Sequence, residues 1–123
     1  MPKSRRDAQI TLITLTGALD LAAERRLRAD LSAAAGDVSR SPIVDMRGVT
    51  FIDSTGLAVL VHADQQLRKQ GRSLACVVRA RGPLQRLLRA TGMEDVLLLF
   101  GELESATAHV LADRSRVAAG NRL

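Results

Sequence analysis

Apolar positions along the chain follow two rhythms that take turns. Ile10 to Thr16 is rich in β-branched residues with partial alternation and stops at Gly17, which predicts a strand. Ala23, Leu27, Leu31 and Ala35 then recur at four-residue steps, one apolar face of a helix from Leu21 to about Ala35, with Glu24, Arg25, Arg28 and Asp30 on its other faces. Asp20 stands where it can cap that helix. After a Ser39–Pro42 loop, Ile43–Met46 reads as a second strand. Leu57, Leu60, Val61 and Leu67 return to helical spacing, with Asp64, Gln65, Arg68, Lys69 and Gln70 opposite and Gly71 as a stop.

The pattern then repeats in shorter units. Ser73–Val78 is almost continuously apolar, as in a strand covered on both faces. Pro83 suits the first position of a helix carrying Leu84, Leu87 and Leu88, which Gly92 ends. Val96–Phe100 is a fourth strand. Glu102 to about Leu111 is a last helix, with Leu103, Thr107, Val110 and Leu111 inward. Residues 1–8 are expected to be loose, and 113–123, thinner in apolar content, to form a loose tail or an extension of that helix. Strands alternating with helices imply parallel pairing and right-handed crossovers. The expectation is therefore a single α/β domain spanning 1–123, with its core over about 10–111. Its sheet is mostly parallel and four- or five-stranded, with alternating helices packed against it.

Between the second strand and its helix lies Asp53-Ser54-Thr55-Gly56, the densest concentration of possible chemistry in the chain. It follows a strand, so it belongs at the carboxyl edge of a parallel sheet, where open α/β folds bind their partners. It also opens a helix, whose free N–H groups and dipole favour negative charge. Adjacent hydroxyls there can be a plain cap, a phosphate acceptor or an anion site. Taken alone, the tetrapeptide is most simply a cap, with Gly56 permitting close packing.

Composition removes several other possibilities. At 46% hydrophobic residues the 123-residue chain can bury a real core, yet Phe51 and Phe100 are its only aromatics. The net charge of +5 raises nucleic acid as a partner, but the arginines are dispersed and stacking platforms are missing, so direct nucleic-acid binding is not expected. Neither of the two common glycine-rich phosphate cradles is present. His62, His109 and Cys76 stand apart, so no metal and no cofactor is expected. His62 lies about 12 Å along the helix that Ser54 begins, too far to act as its base. No apolar run reaches the ~20 residues of a membrane span, and the chain reads as cytoplasmic.

Three segments in order resemble the STAS family of anti-sigma-factor antagonists. Gly17-Ala18-Leu19-Asp20 is similar to the family's Gly-Glu-Leu-Asp. Phe51-Ile52-Asp53-Ser54-Thr55-Gly56-Leu57 is similar to its Asp-Ser-Ser-Gly-Leu. Leu88 to Val96, containing Thr91-Gly92, resembles its helix-Thr-Gly-strand segment. The resemblance implies a STAS-like domain that catalyses nothing and regulates transcription by partner switching. Unphosphorylated, it would bind a serine/threonine-kinase anti-sigma factor and release the sigma factor. Phosphorylation at Thr55, or alternatively Ser54, would end binding, and a protein phosphatase would restore it. Asp20, Asp53, Ser54, Thr55 and Gly56 would meet the partner. The acceptor here is threonine where the family commonly has serine, as in some stressosome-type relatives. The alternative is a non-switching docking subunit of a lipid-transport ATPase complex or a stressosome-type scaffold. Arg79, Arg81, Arg86 and Arg89 either fit an acidic partner or solvate the third helix.

Overall fold

The computed structural model describes residues 8–120. Four strands, β1 (Ile10–Ala18), β2 (Ser41–Phe51), β3 (Ala75–Val77) and β4 (Leu98–Phe100), form one sheet in the order β1-β2-β3-β4. Every neighbouring pair is parallel. The helices α1 (Leu21–Gly36), α2 (Ser54–Arg68) and α3 (Pro83–Ala90) connect successive strands, and α4 (Leu103–Gly120) follows the last.

Strand order in sequence has a direct consequence. Crossovers of one hand that always step the same way along a sheet place their helices on one face. The main core accordingly joins Leu27 and Leu31 of α1, Val59, Leu60 and Leu67 of α2, and Leu84 and Leu88 of α3 to Val44, Met46, Cys76 and Val78. The alternate strand positions Ile43, Ala75 and Val77 face the other way and meet Ala106 and Val110 of α4. The two-residue period of a strand thus divides β2 and β3 between two cores. The continuous apolar run around β3 was legible for this reason.

The elements differ from the sequence expectations mainly in extent. The third and fourth strands shrink to three residues each, and Met93–Asp95 is a turn of 3-10 helix instead of the approach to a strand. Of the two forms expected over 113–123, a loose tail or a helix extension, the structure has the extension: α4 continues to Gly120, and 121–123 lie outside the described residues. Its polar residues are fastened to the amino edge of the sheet. Ser73 Oγ donates to Asp113 Oδ2 at 2.8 Å, and the Arg114 guanidinium donates to the Ser39 carbonyl at 2.9 Å and to Ser41 Oγ at 3.2 Å. The expectation for residues 1–8 falls, apart from residue 8, outside the described residues.

A second correction concerns α2. Asp64, placed by helical spacing on the polar face, is 3% exposed. Its carboxylate receives the Leu74 N–H at 3.0 Å and the Arg68 Nε–H at 2.7 Å, tying the end of α2 to the chain entering β3. Asp64→Ala would strand the buried Leu74 N–H. A loss of about 1–3 kcal/mol in urea unfolding is expected.

Candidate functional site

The carboxyl edge of β1 and β2 is where the two helix starts converge. Parallel pairing brings Ala18 opposite Phe51, and the Leu19 N–H donates to the Phe51 carbonyl at 3.1 Å. Register shifts between Thr14 and Thr16 and between Gly17 and Ala18 bend this end of the pair. Gly17 takes a left-handed φ of 74°, which lets β1 turn sharply into α1. The starts of α1 and α2 are thereby held side by side.

Each helix start is capped by an aspartate. Asp20 Oδ1 receives the Ala23 N–H at 2.8 Å, and Asp53 Oδ1 receives the Gly56 N–H at 2.9 Å. These are the N-cap bonds expected of an acidic residue three positions before the N–H it accepts. Because Asp53 does the capping, the hydroxyls of Ser54 and Thr55 are not consumed by it, and both residues are exposed. Plain capping therefore accounts for Asp53 and leaves the two hydroxyls without a structural task.

Gly56 is buried under the turn. A Cβ there would lie 2.6 Å from Ile52 Cγ1 and 3.0 Å from Ile52 Cδ1, closer than carbon atoms approach. It would also sit 3.5 Å from Glu24 Oε1. Glu24 is the residue that sequence spacing misplaced. It belongs to α1, where spacing places it off the apolar face, yet it is 5% exposed. Its carboxyl lies against that of Asp53. The hydrogen bond to Asp53, then burial, holds Glu24 above the usual glutamate range, while nearby Arg28 opposes the shift. Asp53 moves the other way, held below the usual range by the Gly56 N–H first and by Glu24 second. The one available signal was that Glu24 lies four residues beyond the Asp20 cap, in the helix turn nearest the sheet edge.

The five residues singled out in the sequence, Asp20, Asp53, Ser54, Thr55 and Gly56, thus occupy one edge. Leu21 and Phe51, 62% and 54% exposed, add apolar surface to it. Among the described residues no imidazole or thiol serves the turn: His62 borders a groove between α1 and α2 with Arg28 and Leu31, and Cys76 is fully buried, its thiol pushed up to about 12 by desolvation. The arginines of α3 make local contacts. Arg86 Nη1 donates to the Arg81 carbonyl at 3.2 Å, and Arg89 pairs with Glu94 at 3.3 Å.

This arrangement agrees with comparison to known proteins. The family model described as "STAS domain" matches residues 1–106. The chain belongs to the STAS domain family. Searching curated proteins by sequence finds no match. Among solved structures, this STAS domain is similar to an anti-sigma factor antagonist from Mycobacterium paratuberculosis, with TM-score 0.71 and 24% identity over 83% of this chain and 86% of that one. It is also similar to a sulfate transporter family protein from Wolinella succinogenes, with TM-score 0.65 and 20% identity over 85% and 87% of the two chains. A third likeness is to the anti-sigma factor antagonist SpoIIAA in its unphosphorylated form, with TM-score 0.60 and 22% identity over 89% and 91%. The phosphorylated form of the Bacillus cell fate determinant SpoIIAA matches with TM-score 0.58 and 20% identity over 80% and 88%. At these identities the likeness is one of fold: four parallel strands in one sheet with four helices. Among the described residues, no helix is long and apolar enough to cross a membrane.

Proposed function

We propose that this STAS domain is an anti-sigma-factor antagonist whose binding is switched by phosphorylation at Thr55. The observation that carries the reading is the division of labour in the α2 turn. Asp53 satisfies the helix N-terminus, while the Ser54 and Thr55 hydroxyls stand exposed on an edge that also presents Asp20, Leu21 and Phe51. The partner is a serine/threonine-kinase anti-sigma factor, which binds this edge while Thr55 is unmodified and leaves the sigma factor free. A protein phosphatase resets the switch. The protein works in the cytoplasm as a phosphoprotein regulator of transcription. It is a kinase substrate and catalyses nothing itself.

Charge placement is what makes such a switch work. A phosphate adds about −1.5 to −2 charges and three strong acceptors. At a helix N-terminus the dipole and free N–H groups accommodate that charge, so the fold persists. A partner surface packed on the same edge would have to desolvate it. Incubation with candidate anti-sigma kinases and ATP, followed by peptide mass spectrometry, tests the assignment. One phosphate on Thr55 is expected, and its loss in Thr55→Ala. Modification confined to residues away from this turn would contradict it.

A second reading has one observation in its favour, the likeness to a sulfate transporter family protein. Here the same edge would dock without regulated phosphorylation, as a subunit of a lipid-transport ATPase complex or a stressosome-type scaffold. Binding that persists with a phosphate on Thr55 would select it.

A further inference from the structure

A carboxyl group from α1 is buried beneath the turn that carries the proposed acceptor. Glu24 is 5% exposed, and its Oε1 is sealed from solvent with no donor. The same oxygen faces the space above Gly56, 3.5 Å from where a Cβ would be. Burial of an unpaired carboxylate is costly, and a neutral carboxylic acid avoids that cost by keeping its proton. The neighbour able to accept such a proton is Asp53, which also accepts the Gly56 N–H that makes the cap. The buried Glu24 carboxyl therefore stands beside Gly56, the residue whose N–H the Asp53 cap receives.

We propose that Glu24 is a positioning residue for the acceptor turn, holding the Asp53 cap through a carboxyl–carboxyl hydrogen bond and so fixing how Ser54 and Thr55 face outward. Glu24 touches neither hydroxyl; it acts through Asp53. The consequence for phosphorylation rests on the function proposed above, whereas the geometry belongs to the unmodified protein.

The charged groups facing Glu24 set the direction of its pH dependence. Asp53 from the turn and Asp20 from the start of α1 favour the neutral acid, and Arg28, one turn along α1, favours ionisation. The net effect is a Glu24 that keeps its proton above the ordinary value of 4.5. A carboxyl raised in the folded state contributes stability that is fully present below 4.5 and lost as pH rises through the folded value. Above that value, Glu24 and Asp53 both carry charge and the cap loosens. Glu24→Gln keeps a donor of the same shape and removes the titration. It is expected to melt higher than the native protein at neutral pH, with the difference closing on acidification.

The test is NMR of the full chain: side-chain carboxyl carbons and the Gly56 amide, titrated from acid to neutral pH in the native protein and in Glu24→Gln. The expected result is a Glu24 midpoint above 4.5, with the Gly56 amide shifting at that same midpoint, and loss of this step in Glu24→Gln. A Glu24 that titrates as an ordinary surface glutamate overturns the proposal. So does a Gly56 amide that ignores the Glu24 midpoint. The native titration needs no variant to fold. In parallel, phosphorylation of the native protein is expected to slow severalfold as pH rises through the Glu24 midpoint, and that of Glu24→Gln to stay level. If no kinase modifies either protein while the NMR result holds, the positioning role stands and the proposed switch is what fails.

Discussion

Thr55→Glu is expected to abolish binding to the anti-sigma kinase while leaving circular dichroism and the melting temperature near those of the native protein. Thr55 is the second residue of α2, exposed and outside the Asp53–Gly56 cap bond. A carboxylate there meets the positive end of the helix, which favours an acidic side chain by a few tenths to about 1 kcal/mol. Folding therefore has no reason to suffer. Binding does, for a reason of magnitude. Moving a complex from 99:1 to 1:99 takes about 5.5 kcal/mol of differential affinity. A repulsion at a solvated rim supplies less than that, whereas an unpaired charge desolvated inside a contact costs several kcal/mol. Complete loss thus requires Thr55 to lie within the contact, and Thr55→Ala to retain binding. Should both variants bind as the native protein does, measured by calorimetry, Thr55 lies outside it.

The second large effect concerns folding beneath the same turn. Gly56→Ala is expected to cost about 1–2 kcal/mol. Alanine gains up to about 1 kcal/mol over glycine in a helix. Its Cβ, however, would need room 2.6 Å from Ile52 Cγ1, and Ile52 is 2% exposed and packed in the main core. Overpacking of that kind costs about 1–3 kcal/mol, so the clash wins. Gly36 provides the control, since a Cβ there meets nothing within 4 Å. Gly36→Ala should be neutral or slightly stabilising in the same denaturant titration. A Gly56→Ala protein as stable as the native one would show that Ile52 and the turn can part freely.

The glycine result bears on what could be read from the sequence. The turn itself was legible because its residue types are those a helix start demands, and because β-branched runs marked the strands that place it. The role of Gly56 as a close-packing position followed the same logic. Glu24 and Asp64 were not legible, and for a shared reason. Helical spacing sorts residues by polarity, so an acidic side chain is assigned to solvent. Glu24 is buried because a turn 29 residues later lies over it, and Asp64 because the Leu74 N–H comes back to meet it. Those partners are set by tertiary placement and leave no periodic trace. At the polar end of α4 a helix extension was legible but its contacts were not: Asp113 and Arg114 look solvated until Ser73, Ser39 and Ser41 appear beside them. In each case an ionisable group inside the fold was hidden by the rule that usually places it outside.

These buried carboxyls also refine the site. The sequence points to a pair of hydroxyls at a helix start, and the structure sets beneath them the buried carboxyl of Glu24, beside the Asp53 cap. A phosphate on Thr55 would add negative charge next to Glu24 and Asp53. By linkage, such charge would favour a protonated Glu24, and a protonated Glu24 would in turn favour the phosphorylated form.

The central claim is that one covalent change at Thr55 turns partner binding off. Its most direct test is isothermal titration of the cognate anti-sigma kinase with two preparations of this protein, one unmodified and one fully phosphorylated at Thr55. The account predicts saturable binding by the unmodified protein and an affinity at least about 10⁴-fold weaker, the ratio a complete switch needs, for the phosphorylated one. Equal affinity for the two forms would contradict it.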